Sequence, residues 1–346
     1  MQRKERFMIK DLLNELQKDA DKKGVHLQRA FSDFVEDLYQ MIKSDNIDRM
    51  KYLTYFELVS KYPFYDILAD VCVEIGRFDA KRGQYMTPFE LAQCLNRMSQ
   101  PDKRMNPEML DFSCGTGIMG LVTLHKTYQD MFIAENRICP SSFGIEVKIH
   151  LNDLDNEMSK ISTIQIYINW LLHCSIVFKL DLLVTQNNVI SDWKEPLKVI
   201  FKSEESVQNF ESMSKAKKNN LMLNPPFGLK DYGFEYAKNN SSQSRFKDGI
   251  PNKGDCEYAF ILSAIDLLTD DGKAFLVLPR GVQFKDSTRK FRKSMRFQKI
   301  LDAVIALPSK VFEETSIPTC VFMLNKDRSD AVKAQGVYMM NLDQAA

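Results

Sequence analysis

From Met109 onward, short runs of β-forming residues alternate with helix-length amphipathic stretches, and this alternation restricts the chain to a doubly wound, mostly parallel sheet covered by helices. The runs fall at residues 109–112, 147–151, 221–223, 274–278, 301–307 and 320–324. Between them, 156–173 and 255–268 read as helices, the second ended by the turn Asp270-Asp271-Gly272. The stretch 187–220 is polar and irregular and is expected to be an insertion or a mobile loop. Ahead of Phe78 the pattern is helical throughout, with apolar residues at helix spacing in Phe31, Phe34, Val35, Leu38 and Ile42 and again in Ile67, Leu68, Val71 and Ile75. The expected division is a small all-helical N-terminal region, 1–80, followed by a catalytic α/β domain, 81–346.

Charge says little globally, since 47 Lys and Arg stand against 46 Asp and Glu. Any case for a nucleic-acid partner therefore rests on local clustering. Residues 285–299 supply one cluster, with Lys285, Arg289, Lys290, Arg292, Lys293, Arg296 and Lys299 against the single acid Asp286, either as a solvated helix face or as a phosphate-binding one. The seven cysteines contain no Cys-x-x-Cys pair and the four histidines no metal-ligand spacing with them, so neither disulfides nor a metal is expected. No apolar run approaches the roughly eighteen residues that cross a bilayer, and the N-terminus does not read as a signal peptide. A cytoplasmic location with no membrane association is the expectation.

Residues 109–117, Met-Leu-Asp-Phe-Ser-Cys-Gly-Thr-Gly, place Asp111 at the end of a strand and a Gly-x-Gly turn, Gly115 and Gly117, before a helix. That is where open α/β sheets bind ligands. Gly120 completes a Gly-x-Gly-x-x-Gly pattern, so on glycines alone a dinucleotide site or a plain tight turn remains open. Two neighbours bear on the choice. Upstream, Tyr85-Met86-Thr87-Pro88-Phe89-Glu90 reads as a helix start with Thr87 as N-cap and Glu90 closing a capping box, and a helix N-terminus can also hold the carboxylate of a methionine moiety. Downstream, Asn152-Asp153-Leu154-Asp155 follows the next strand; Asp153 is placed to meet a ribose diol, and Asp155 reads as the cap of the following helix.

The most informative segment is Asn224-Pro225-Pro226-Phe227-Gly228, directly after the strand that ends at Leu223. Two prolines fix the backbone and remove two amide donors, so carbonyls there can face a pocket as acceptors. The Asn224 side-chain oxygen and the Pro225 carbonyl can each accept from a planar NH2 group, and Phe227 offers a flat face for a base. An ordinary strand-terminating turn is the plain alternative. The chemistry that fits all three segments is in-line methyl transfer from a sulfonium to an amine nitrogen, carried by positioning and electrostatics. An amine on a nucleobase within a duplex requires base flipping, and Phe284 reads either as a core phenylalanine or as a second aromatic clamping the flipped base.

Taken together, these segments resemble the modification (methyltransferase) subunits of type I restriction-modification systems, a family of N6-adenine DNA methyltransferases. The resemblance spans about residues 81–326 and includes, besides the segments above, Gly272 to Pro279, Ala303 to Pro308, Val311-Phe312 and Thr315 to Thr319. It implies a Rossmann-like S-adenosylmethionine-dependent methyltransferase fold with a mostly parallel seven-stranded sheet. It implies that Tyr85, Thr87, Asp111, Gly115, Gly117 and Asp153 hold S-adenosylmethionine, and that Asn224, Pro225, Pro226 and Phe227 hold the target adenine of double-stranded DNA. Phe is usual in the family where Met86 stands, and Pro where Phe112 stands. Family members carry longer helical regions that grip a separate specificity subunit, and a restriction subunit can act alongside. No target-recognition domain is visible here, so the chain is expected to need a DNA-reading partner or to methylate with low selectivity. Rival readings are an amino-methyltransferase of the same fold acting on RNA bases or on a protein glutamine, for which Tyr is usual at Phe227, and a non-catalytic cofactor-binding scaffold, which an intact Asn224-to-Phe227 segment disfavours.

Overall fold

The structure is a computed structural model describing residues 8–77, 83–99, 107–135, 144–204, 206–312, 315–328 and 334–344. The boundary expected at 80/81 falls outside the described residues. Nine strands form one sheet: β1 (Glu108–Asp111), β2 (Glu146–Asn152), β3 (Lys179–Thr185), β4 (Val199–Lys202), β5 (Lys218–Leu223), β6 (Leu268–Pro279), β7 (Leu301–Ala306), β8 (Thr319–Asn325) and β9 (Tyr338–Asn341). Their order is β4-β3-β2-β1-β5-β6-β8-β7-β9. β4 runs antiparallel to β3, and β8 antiparallel to both β6 and β7; the others share one direction. The expected seven strands are the seven from β3 to β7 in that order, and β4 and β9 extend the two edges. Strand order reverses between β1 and β5, which opens a crevice at their C-terminal ends.

Successive strand residues face opposite sides, and each side has its own core. Met109 and Met222 point into one, Leu110, Leu221 and Leu223 into the other. The first core is covered by α5 (Phe89–Ser99), α6 (Ile118–Glu135), α7 (Asn156–Asn169) and the N-terminal helices α1 (Lys10–Lys23), α2 (Leu27–Lys43), α3 (Leu53–Lys61) and α4 (Ile67–Glu74). The second is covered by α8 (Phe234–Asn239), α9 (Cys256–Leu267) and α10 (Arg289–Phe297). Phe31, Val35, Leu38 and Ile42 of α2 are buried as their spacing predicts, and α2 lies against α7. The N-terminal helices thus share a core with the sheet.

Three expectations need correction. β3 has no clean apolar run because Asp181 interrupts it; this buried carboxylate receives the Ser206 hydroxyl and the Gln208 amide on one of its oxygens. Of the two readings of 187–220, the mobile loop gives way to the insertion. It supplies β4 and buries Val189, Ile190, Trp193 and Met213. Arg245 stacks its guanidinium 4.1 Å from the centre of the Trp193 ring and donates to the carbonyls of Val189 and Ile190, fastening the segment to the domain. Finally, Asp270-Asp271-Gly272 is not a turn after α9. The chain passes straight from α9 into β6, and these residues lie in an irregularity where pairing with β5 shifts from Lys218↔Leu268 to Asn220↔Lys273.

Candidate active site

The turn after β1 is held from three sides. Asp111 is buried and accepts from the Ser113 N–H at 3.0 Å; burial, with the charge of Asp153 adding to it, pushes its carboxyl up to about 8. Asp153 accepts the Gly115 N–H at 2.9 Å and the Asp155 N–H at 2.9 Å, and burial moves it up to about 6. Asp155 caps α7 through the amides of Glu157 and Met158. Gly117 adopts φ +95°, and a Cβ there would lie 2.9 Å from the Ser162 Cβ, so only glycine lets the turn lie this close to α7.

The third side comes from the N-terminal helices. Asp66, the cap of α4, is buried and receives the Thr116 hydroxyl at 2.7 Å on one oxygen and the Gln165 amide at 2.7 Å on the other. Gln165 also donates to the Thr116 carbonyl at 2.8 Å and accepts the Leu68 N–H at 3.0 Å. Burial raises the Asp66 pKa, opposed by these hydrogen bonds. Asn152 plays a similar part across the strand ends, donating to the carbonyls of Phe112 and Asn187 and accepting from Thr185. Neither Asp66 nor Asn152 carried a sequence signal, because their partners lie far along the chain.

Beside this turn stands the segment after β5. The Asn224 amide donates to the Tyr85 carbonyl at 2.9 Å and to the Thr87 hydroxyl at 3.0 Å. Thr87, expected as a helix cap, therefore serves Asn224, and α5 begins at Phe89. With both protons engaged, the Asn224 Oδ1 is buried without a hydrogen-bond partner. The Phe227 N–H reaches the Gly83 carbonyl at 3.0 Å, and the Gly228 N–H reaches the buried Glu257 carboxylate at 3.0 Å. Gly83, at φ +66°, passes so near that a Cβ would lie 2.0 Å from the Phe227 carbonyl oxygen.

Both tips border one cavity of about 310 Å³, lined on one side by Ser113, Gly115 and Asp153 and on the other by Tyr85, Asn224 and Pro226. Phe112 and Phe260 line it too, stacked with ring centres 6.2 Å apart, so the phenylalanine where the family usually has proline packs on α9. Met86 also lines it, with its sulfur 3.8 Å from the Thr116 hydroxyl. The Phe227 ring packs between Tyr85 and Phe312. Phe284 is 73% exposed, which overturns its reading as a core residue. Among the described residues no cluster of three His, Cys, Asp or Glu could hold a metal ion, and no helix is long and apolar enough to cross a membrane.

A sheet of this order, with a Gly-x-Gly turn and an Asn-Pro-Pro-Phe segment meeting at its switch point, defines a Rossmann-like S-adenosylmethionine-dependent methyltransferase fold. Residues 73–346 match N-6 DNA Methylase, and the chain belongs to that family. It is 25% identical over 250 residues to the type I restriction enzyme MpnII methylase subunit of Mycoplasma pneumoniae, covering 71% of this chain and 40% of that one. It is 23% identical to the MjaVII methylase subunit of Methanocaldococcus jannaschii, over 97% of this chain and 53% of that one. The chain thus spans about half the length of these curated relatives. Among solved structures, one described as a class I S-adenosylmethionine-dependent methyltransferase from Listeria monocytogenes superposes with TM-score 0.62 at 14% identity, covering 98% of this chain and 94% of that one. The type I restriction-modification methyltransferase subunit of Streptococcus thermophilus gives 0.54 at 17% identity, over 98% and 79%.

Proposed function

We propose that this protein transfers a methyl group from S-adenosylmethionine to N6 of an adenine flipped out of double-stranded DNA, as the modification subunit of a restriction-modification system. The observation that carries the reading is Asn224, which lines the cavity that also meets the Gly115 turn and whose Oδ1 is buried without a hydrogen-bond partner. A buried acceptor without a partner is costly, and an exocyclic amine supplies the missing donor. Accepting that hydrogen bond helps hold the amine lone pair ready for attack, while the prolines keep the Pro225 carbonyl available as a second acceptor.

Tyr85, Thr87, Asp111, Gly115, Gly117 and Asp153 would hold the cofactor, which supplies a methyl group activated on a sulfonium. Asp153 lies at the cavity wall, suited to a ribose diol, and the turn is fixed in advance by Asp66 on the Thr116 hydroxyl and Gln165 on the Thr116 carbonyl. Stacking of the base on Phe227 requires Phe312 to move aside, whereas Phe284 is already exposed. On this reading 81–346 is the catalytic domain and 1–80 its helical support. The protein works in the cytoplasm and takes its DNA sequence from a specificity subunit, with a restriction subunit as a further partner.

The test is to incubate the protein with labelled cofactor and DNA, RNA or protein acceptors, then digest the labelled product. Label in N6-methyladenine of DNA is the expected result; label confined to RNA or protein refutes the reading. A pH dependence accompanies it. Asp111 and Asp153 ionise near 8 and 6 in the folded protein against 3.8 ordinarily. Their contribution to stability is therefore whole below about pH 4 and lost as pH rises through 6 and then 8. A cationic cofactor favours their ionised forms, so cofactor affinity should rise from pH 6 to 8 with release of protons. Calorimetric titration in buffers of different ionisation enthalpy measures this, and affinity that is flat or falls with pH contradicts it.

A further inference from the structure

The basic stretch 285–299 forms a turn, Asp286–Thr288, and then α10. Phe291 and Met295 are buried, Phe291 stacking on Tyr258 of α9 with centroids 5.4 Å apart, and this fixes which face of α10 looks outward. Arg289, Lys293 and Arg296, spaced i, i+4, i+7, are exposed along that face. No acidic residue occurs anywhere in 287–300, and among the described ion pairs none involves these three side chains. Like charges one turn apart repel and destabilise an isolated helix, so this face carries a cost that a polyanion would relieve. Arg292 instead turns inward, donating to the carbonyls of Val282 and Lys285 and to the Thr288 hydroxyl, and so locks the turn to the helix.

The residue that leads into this turn and helix, Lys285, is linked to the Asn-Pro-Pro-Phe segment through Glu257. Lys285 donates to the Gly254 carbonyl at 3.2 Å and lies 3.7 Å from Glu257, the residue that holds the Gly228 N–H of the Asn-Pro-Pro-Phe segment. Phe284 immediately precedes it, exposed, and Phe297 at the far end is 89% exposed. From Arg289 to Arg296 the helix rises about 10 Å, which matches about three phosphates of one DNA strand.

We propose that α10 is a phosphate-binding face, with Arg289, Lys293 and Arg296 each neutralising a backbone phosphate of the duplex beside the flipped base. The inference rests on the DNA reading above and extends it to a surface. Its test compares the full chain with the triple variant R289Q/K293Q/R296Q and with a control triple, K18Q/K22Q/K194Q, that removes the same charge from exposed lysines elsewhere. Binding of a fluorescent DNA duplex is measured across salt concentrations, with cofactor affinity and thermal midpoint alongside. The expected result is a slope of log K against log salt shallower by about 3 in the first triple alone, with cofactor affinity and midpoint unchanged. An unchanged slope, an equal loss in the control, or no duplex binding by the original chain overturns the proposal; an unchanged slope would assign the face to an acidic protein surface. Methyl transfer to DNA by the original chain, scored in the same series, separates the two readings. Transfer with no slope change sinks the face alone, and a slope change with label confined to RNA or protein acceptors sinks the methylation reading alone.

Discussion

Replacing Asn224 by alanine is expected to abolish detectable methyl transfer while weakening cofactor binding far less. The side chain does two jobs. Its amide protons hold the Tyr85 carbonyl and the Thr87 hydroxyl, and its oxygen, buried without a partner, is the acceptor proposed for the substrate amine. Losing one preorganised hydrogen-bonding group of this kind lowers turnover by on the order of 10²–10³-fold. The lost anchors add to that by loosening Tyr85. On the proposed reading the Asp66-braced turn and Asp153, which the substitution does not touch, still hold the cofactor, so its affinity should fall far less than turnover. Single-turnover transfer alongside cofactor titration separates the effects, and transfer at the original rate in the alanine variant would remove Asn224 from the chemistry.

Gly83→Ala should be the most damaging single methyl group that can be added near the site. The position has φ +66° and its Cβ would lie 2.0 Å from the Phe227 carbonyl oxygen, closer than any non-bonded contact allows. The left-handed backbone costs roughly 1–3 kcal/mol for a residue with a side chain. Relieving the overlap adds about as much again and pushes the Gly83 and Phe227 strands of chain apart. Because the Phe227 N–H bonds the Gly83 carbonyl, both the cofactor side and the base side shift together. The expected outcome is a lowered unfolding midpoint with loss of both cofactor binding and transfer. A variant that keeps its midpoint and both activities would show that the close approach is dispensable.

What could be seen in the sequence was whatever the backbone carries locally. The strands that end at Asp111 and Leu223 announced themselves by short apolar runs followed by turn residues, and the glycines and prolines of those turns pointed to the cavity between them as the candidate site. β3 stayed hidden because Asp181 looks like a surface residue until Ser206 and Gln208 are brought to it. β9, Tyr-Met-Met-Asn, is exposed along its whole length and lacks the alternation of apolar and polar residues that marks a half-buried strand. Thr87 looked like a cap since its sequence neighbours fit one, while the group that claims its hydroxyl lies 137 residues away. Asn152 and Glu257 act through such distant partners, and so does Asp66 beyond its local cap on the Ala69 N–H. Phe284 was ambiguous for a different reason: a phenylalanine after a strand is usually core, and only the fold reveals that it faces solvent.

The contact between Asp66 and Thr116 bears on how catalytic units of this kind can be exchanged. A chimaera joined near residue 80, with the helices of another protein grafted ahead of this sheet, would strand the Thr116 hydroxyl and the Gln165 amide without their carboxylate. Each stranded group costs about 1–3 kcal/mol, and the loss lands on the loop that must already be in place when the methyl donor arrives. Such a graft could keep its shape and still lose its donor site, so a workable crossover has to lie upstream of Asp66 or carry a matching acid with it.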